Sequence, residues 1–134
     1  MYTRQNLFAL LILSLGVVLA GCGGPKTAEL SVSMSEFSFS PSSVSVPAGA
    51  EVTLNLTNSG TIEHNWVLLD AGYEASAPFD ADDQAEVVTE TKVAASETQP
   101  FSFTAPSAAG SYQVVCSIPG HLEAGMKASF TVGG

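Results

Sequence analysis

Apolar and polar residues alternate along the chain between residues 29 and 60. The apolar positions of the first half are Leu30, Val32, Met34 and, after a one-residue slip in phase, Phe37 and Phe39. A period of two points successive side chains to opposite faces of an extended chain, so the pattern predicts half-buried β-strands. The tripeptides Pro-Ala-Gly and Asn-Ser-Gly within residues 42–60 predict turns between these strands.

Four later segments also have strand character. The run 64–70 is almost continuously apolar, as expected of a strand that is buried on both faces. Residues 98–106, 110–117 and 126–134 are short, rich in β-branched and aromatic residues and bounded by Gly or Pro. Because few helical segments separate these strands, we predict an all-β fold, an antiparallel Greek-key β-sandwich.

Residues 70–97 depart from this pattern because they are rich in Ala and acidic residues. We predict an insertion that consists of a loop and one short helix, around Asp82 to Val88. It contains an acidic cluster, formed by Asp80, Asp82, Asp83 and Glu86. Two interpretations of the cluster remain open, a solvated face and a docking patch for a partner.

The start of the chain has the features of a secretory signal. Arg4 precedes an apolar run from Leu7 to Ala20, and these 14 residues fall short of the roughly 20 that a membrane-spanning helix needs. The sequence Leu-Ala-Gly-Cys, which ends at Cys22, resembles the bacterial lipoprotein signal. That resemblance implies removal of residues 1–21 and a lipid on the Cys22 sulfur. We therefore expect anchoring at the extracytoplasmic (periplasmic) face of the bacterial cell membrane.

The length and the charge of the chain limit the number of domains and the kinds of partner. The 134 residues suit one domain, which we place at 30–134 after a tether at 22–29. The net charge of −9 becomes −10 without Arg4, since three lysines then face 13 acidic residues. Such a charge excludes nucleic acid and anionic headgroups as partners and favours a cationic protein partner.

Lipidation of Cys22 would leave Cys116 without a disulfide partner. An unpaired thiol in an oxidising compartment has three candidate roles: a buried inert side chain, a nucleophile or a metal ligand. Cys116 ends one predicted strand and Met126 opens the next, and His121 lies midway between them. His64, the other histidine of the chain, begins the strand at 64–70.

If His64 lies at the same end of the sandwich, two imidazoles, a thiol and a thioether converge there. Two His and one Cys in a trigonal arrangement with a weak axial Met form the ligand set of a blue copper site. Imidazole suits Cu(II), whereas the sulfur ligands suit Cu(I), so the mixed set accommodates both oxidation states. The sequence therefore predicts one bound copper ion.

The motif Cys116-x4-His121-x4-Met126, with Glu-His-Asn-Trp-Val-Leu-Leu upstream, resembles the cupredoxins, and its spacing is similar to that of the auracyanins. The resemblance implies that His64, Cys116 and His121 are equatorial ligands and that Met126 is axial. It also implies that Asn65 joins the two ligand-bearing segments and directs its backbone N–H to the Cys116 sulfur.

The resemblance further implies a one-electron carrier in a respiratory or photosynthetic chain. Its partners would be redox proteins such as a c-type cytochrome, a membrane oxidoreductase or a reaction centre, and the carrier itself would be a monomer. We expect the electron to leave at the His121 edge, through an apolar patch formed by Ile118, Pro119, Leu122 and Gly125. The alternative for Leu122 is a core residue under the loop.

Three other functions compete with electron transfer. A copper carrier or storage protein would use the same ligands without a redox chain. A copper enzyme such as a nitrite reductase domain needs a second metal site, and both histidines are already used. A thiol hydrolase would employ Cys116 and a histidine but would leave Met126 without a role.

Overall fold

The computed structural model describes residues 23–134, so the predictions for the signal segment and for Cys22 lie outside the described residues. Residues 23–134 form nine strands and one helix in this order: β1 (Thr27–Ser35), β2 (Ser38–Ser40), β3 (Ser43–Pro47), β4 (Glu51–Asn58), β5 (His64–Leu69), α1 (Ala81–Ala85), β6 (Val87–Val93), β7 (Thr98–Thr104), β8 (Gly110–Val115) and β9 (Lys127–Gly133). Among these residues, no helix is long and apolar enough to cross a bilayer.

The strands form two sheets, which confirms the predicted β-sandwich. One sheet has the order β2-β1-β4-β7 and the other β3-β9-β8-β5-β6. Both sheets are mixed, because β1 pairs with β4 and β3 pairs with β9 in parallel, whereas the other pairs are antiparallel. β4 can run parallel to β1 because the chain crosses to the second sheet at β3 before it returns.

The slip in hydrophobic phase marks a reversal of the chain. β1 ends at Ser35, Glu36 and Phe37 form a turn, and β2 runs back antiparallel to β1. Met34 and Phe39 on either side of the turn are both buried, whereas Phe37 is 40% exposed. The change in phase therefore turns one aromatic side chain outward at the end of the sandwich.

Strand β5 is buried along its whole length, as its apolar sequence predicts. Its inner face joins the main core between the two sheets, which includes Trp66 and Leu68. Its outer face joins a second apolar cluster, which consists of Val67, Leu69, Val115 and Leu122, packed against Tyr73, Ala75, Phe79 and Val87. Much of the 70–97 insertion thus covers the outer face of the second sheet.

The insertion differs from its prediction in two respects. The helix spans Ala81–Ala85, which is shorter than the expected 82–88, and the following residues form strand β6. β6 pairs antiparallel with β5 at the edge of the sheet. Its alternating pattern was not recognised because Thr and charged residues separate its valines and only Val93 is fully buried.

The acidic cluster is not a uniformly solvated face. Asp80 caps the helix and accepts the N–H groups of Asp82 and Asp83, which is a favoured arrangement at a helix start. Asp83 is fully buried, and its carboxylate accepts hydrogen bonds from the Tyr73 hydroxyl at 2.9 Å and from the N–H groups of Asp80 at 3.0 Å and Ser76 at 3.4 Å. Asp83 therefore holds the insertion together.

Candidate metal centre

The segment from Cys116 to Met126 joins β8 to β9 at one end of the sandwich. Cys116 directly follows β8 and Met126 directly precedes β9. The Cys116 N–H donates to the Met126 carbonyl at 3.1 Å, and the Met126 N–H donates to the His121 carbonyl at 3.0 Å. Gly120 and Gly125 have φ of +87° and +92°, a conformation that favours glycine. These bonds and turns fix the loop on the rigid sheet.

The fold brings His64 to the same loop. His64 opens β5, which pairs with β8. Its Nδ1 lies 3.2 Å from His121 Nδ1 and 4.0 Å from the Cys116 sulfur, and the sulfur lies 3.2 Å from His121 Nδ1. The three donor atoms therefore converge on one point, as the sequence predicted.

The converging side chains are removed from solvent. His64 and Cys116 are fully buried, and His121 is only 5% exposed. The three donor atoms lie within 4.8 Å of one another. Buried polar groups ordinarily have hydrogen-bonding partners within the protein, whereas these groups mainly face one another. Such a cluster is typical of a metal site.

Asn65 links the two ligand-bearing segments. Its side chain accepts the Ser117 N–H at 2.8 Å and donates to the Ser117 hydroxyl at 2.7 Å. Its backbone N–H points to the Cys116 sulfur at 3.5 Å. Both contacts implied by the family resemblance are therefore present, and they hold β5 and the loop in register.

Burial favours the neutral forms of His64 and Cys116. Desolvation lowers the pKa of His64, and the neighbouring His121 lowers it further, against an opposite effect of Glu36. The neutral imidazole is the form that binds a metal. Desolvation also raises the pKa of the Cys116 thiol, although the N–H groups of Asn65 and Ile118 oppose this shift. A bound cation would stabilise the thiolate, so metal binding releases a proton.

The donor set fits copper. Nitrogen atoms 3.2 Å apart can each lie about 2 Å from one ion, the usual length of a metal–imidazole bond. Two imidazoles and one thiolate are the equatorial set of a type 1 site. Met126 is fully buried in the main core beside Cys116. The four side chains are thus positioned like those of a type 1 copper site.

Leu122 does not belong to a surface patch. It is only 7% exposed and lies in the second apolar cluster, so the alternative of a core residue under the loop is the correct one. Pro119 and Gly125 are exposed and Ile118 is half-buried. The sequence left both positions of Leu122 open because it does not show that the loop folds back over the outer face of the sheet.

Sequence reasoning missed two residues of the β1–β2 turn. The Phe37 ring packs edge-on against His121, with 5.0 Å between ring centroids. Glu36 Oε1 lies 4.0 Å from His64 Nε2. The slip in hydrophobic phase at this turn is the sequence feature that indicates an outward-facing aromatic residue. The turn lies about 27 residues before His64, so only the fold reveals its place beside the ligands.

The similarity of the chain to known proteins agrees with this geometry. Residues 26–133 match the family described as copper binding proteins of the plastocyanin/azurin family. Auracyanin-A of Chloroflexus aurantiacus is 29% identical over 150 residues, which cover 89% of this chain and 91% of that protein. Auracyanin-B of the same organism is 31% identical over 80% of this chain, a match that spans 52% of that longer protein.

Solved structures show the same relationship. A structure of auracyanin B superposes with a TM-score of 0.69 at 29% identity, over 83% of this chain and 92% of that one. The structure of auracyanin A, whose description is a "blue" copper protein, gives 0.63 at 28% identity, over 78% and 99% of the two chains. The chain therefore belongs to the plastocyanin/azurin family of copper-binding proteins, as a cupredoxin that resembles the auracyanins.

Proposed function

We propose that this protein carries single electrons between redox partners of a respiratory or photosynthetic chain, with copper alternating between Cu(II) and Cu(I). The observation that carries the proposal is the closed, buried ligand set held between β5 and the β8–β9 loop. The description of auracyanin A as a "blue" copper protein from a photosynthetic bacterium supports the same function.

The protein contributes rigidity to this reaction. His64, Cys116, His121 and Met126 would hold a copper ion, whose chemistry would be the gain and loss of one electron. The Asn65–Ser117 hydrogen bonds and the Cys116–Met126 backbone bond hold the ligands in one arrangement. Because His121 and Cys116 are buried, little water needs to reorganise at the site when the charge changes. Both features lower the energetic cost of electron transfer.

The test separates an electron carrier from a copper storage protein. We expect the copper-loaded protein to be intensely blue when oxidised, to give a reversible one-electron voltammogram and to exchange electrons rapidly between its oxidised and reduced forms. A Cu(I) chelator should remove the metal far more slowly than electrons exchange. Rapid loss of copper to the chelator, with slow electron exchange, would support storage and refute the carrier.

We also propose that the protein is not an enzyme. Both histidines of the chain contribute to one cluster, so no imidazole remains for a second copper site. Cys116 is buried and faces two imidazoles, a position without access for a substrate. Absence of nitrite turnover by the copper-loaded protein, with an electron donor present, would agree with this assignment, and sustained turnover would contradict it.

For the route of the electron, we propose an exit surface formed by Phe37, Ile62 and Pro119 beside the His121 ring. Phe37 and Ile62 are about 40% exposed apolar side chains, and Glu36 connects their two turns through hydrogen bonds to Thr61 and Ile62. An exposed apolar surface suits brief docking. A c-type cytochrome, a membrane oxidoreductase or a reaction centre is the partner that we propose.

A matched pair of lysine variants tests the exit surface. Phe37→Lys should slow electron exchange with a cytochrome c and between copies of the protein, while the visible spectrum changes little. Val88→Lys is the control, because Val88 is equally exposed at 42% but lies near the opposite end of β6, five residues from the Val93–His64 pair. Equal rates for the two variants would place the exit elsewhere.

Finally, we propose that a lipid on Cys22 holds the protein at the extracytoplasmic face of the membrane. The support is the Leu-Ala-Gly-Cys sequence at positions 19–22. In a bacterial host that processes lipoproteins, the wild-type protein should fractionate with membranes and Cys22→Ser should not. Equal membrane retention of the two proteins would refute lipid anchoring. Copper binding should be the same in both.

A further inference from the structure

A carboxylate of the β1–β2 turn lies beside the buried imidazole of His64. Glu36 Oε1 is 4.0 Å from His64 Nε2, whereas Nδ1 of the same ring faces the thiol. Within residues 23–134, His64 Nε2 is the only buried side-chain nitrogen or oxygen that lacks a hydrogen-bond partner. A histidine that binds a metal through Nδ1 carries its proton on Nε2, and this group ordinarily donates to a carboxylate, a carbonyl or water. Glu36 is the carboxylate beside it, at a distance longer than a direct hydrogen bond.

The Glu36 carboxylate fits closely against the turn at residues 60–62. Its Oε1 accepts the N–H groups of Thr61 at 2.5 Å and Ile62 at 3.3 Å, and the Thr61 hydroxyl lies at 3.1 Å. A Cβ atom at Gly60 would lie only 2.6 Å from the same oxygen. The turn that precedes His64 thus accommodates the carboxylate because residue 60 has no side chain.

The charge on Glu36 has no salt-bridge partner among the described lysines. A second acidic residue, Glu63, directly precedes His64 in the sequence. Its Oε1 lies 3.7 Å from Lys92 Nζ. The Glu63 side chain is half exposed, so solvent and the lysine both weaken its field. Glu36 is therefore the acidic side chain that acts most directly on this edge of the copper site.

We propose that Glu36 is a positioning residue for His64 and that its negative charge lowers the reduction potential of the copper. Reduction transfers one electron from an external donor to the metal and reduces the positive charge of the site by one. A nearby negative charge stabilises the more positive Cu(II) form more than the Cu(I) form. The inference rests on the copper assignment and not on the identity of any redox partner.

The principal test is Glu36→Gln, measured by voltammetry of the copper-loaded protein. The amide keeps an oxygen for the Thr61 and Ile62 N–H groups and removes only the charge. We expect the ratio of Cu(II) to Cu(I) affinity to fall roughly tenfold, which for one electron raises the potential by about 59 mV. A residue that merely supported the turn would leave the potential unchanged in this variant.

The control is Glu29→Gln, which removes the same charge from strand β1. Glu29 accepts a hydrogen bond from Asn55 and lies seven residues before Glu36, roughly 20 Å away along the extended chain and more than two Debye lengths at physiological salt. The reduction potential of Glu29→Gln should equal that of the wild type. Equal potentials for Glu36→Gln and Glu29→Gln, with the blue colour intact in both, would overturn the proposal.

Gly60→Ala provides a second variant that keeps the charge in the chain. The new methyl group would displace the Glu36 carboxylate from its position against the turn. Because the charge moves but is not removed, the reduction potential should rise by less than in Glu36→Gln. If Glu36→Gln fails to fold, Gly60→Ala tests the proposal in its place, and an unchanged reduction potential of Gly60→Ala then refutes it. A colourless wild-type protein after copper loading would instead refute the copper assignment itself.

Discussion

Two buried polar clusters in this protein have different hydrogen-bonding patterns. In the cluster of the 70–97 insertion, both oxygens of Asp83 accept hydrogen bonds, from Tyr73 and from backbone N–H groups. In the cluster of His64, Cys116 and His121, the donor atoms converge on one another, and His64 Nε2 has no hydrogen-bond partner. Asp83 is as fully buried as His64 and Cys116.

The difference shows how a structural polar cluster is distinguished from a binding site. A buried polar group is costly unless its hydrogen bonds are made, and the Asp83 cluster meets this requirement with groups of the chain itself. In the histidine–cysteine cluster the donor atoms instead contact one another, an arrangement in which their lone pairs can be shared by a bound cation. Substitutions should therefore change stability at the first cluster and colour or potential at the second.

The largest effect is expected for Cys116→Ser. A serine hydroxyl cannot supply the sulfur orbital from which charge transfer to Cu(II) produces the blue colour, so we expect complete loss of the visible band. Absorption spectra after copper loading and oxidation measure this directly. A Cys116→Ser protein as blue as the wild type would show that the second cluster is not the copper site.

The next effect is a loss of stability in Asp83→Ala. The substitution leaves the Tyr73 hydroxyl and the Asp80 N–H without their acceptor. An unsatisfied buried donor costs about 1–3 kcal/mol, and because both donors are only partly buried we expect a total loss of about 2 kcal/mol. Urea denaturation measures the change. Asp82→Ala is the control, because Asp82 is exposed, and its stability should stay within about 0.5 kcal/mol of the wild type. Loss of the blue colour in folded Asp83→Ala would contradict the separation of the two clusters.

A smaller effect, on potential alone, is expected for Met126→Gln. A thioether favours Cu(I) and an amide oxygen favours Cu(II), so the variant should remain coloured and its reduction potential should fall. We expect a factor of at least ten in relative affinity, or about 59 mV for one electron. An unchanged or raised potential would argue against Met126 as the axial ligand.

The smallest effect concerns alkaline pH. The hydrogen bond to Asp83 raises the pKa of Tyr73 to about 12, above the value of about 10 expected in the unfolded chain. The unfolded chain therefore loses this proton first, so stability falls as the pH rises from about 10 to about 12. Tyr73→Phe should show a shallower fall in urea denaturation.

Tyr112→Phe is the matched control for this prediction. The Tyr112 hydroxyl donates to the Ala108 carbonyl and does not contact the acidic cluster. This variant separates the loss of any tyrosine hydroxyl from the loss of the hydroxyl that contacts Asp83. Identical slopes for Tyr73→Phe and the wild type would show that the Tyr73–Asp83 bond does not persist in solution.

The sequence by itself determined the sandwich and the ligands. A period of two requires strands with one buried face, and the dense run of β5 requires cover on both faces. Cys116, His121 and Met126 come together because a short loop between adjacent strands leaves them no room to separate. Spacing along the chain is enough for such local features.

Only the tertiary structure decided what depends on contacts between distant segments. The position of Leu122 under the loop, the burial of Asp83 and the strand β6 all depend on the insertion packing on the outer face of the second sheet. Glu36 and Phe37 reach the two histidines from a turn of the other sheet. Contacts of this kind arise from the crossing between sheets, and a pattern of hydrophobic positions carries no information on which turns meet at one end of the sandwich.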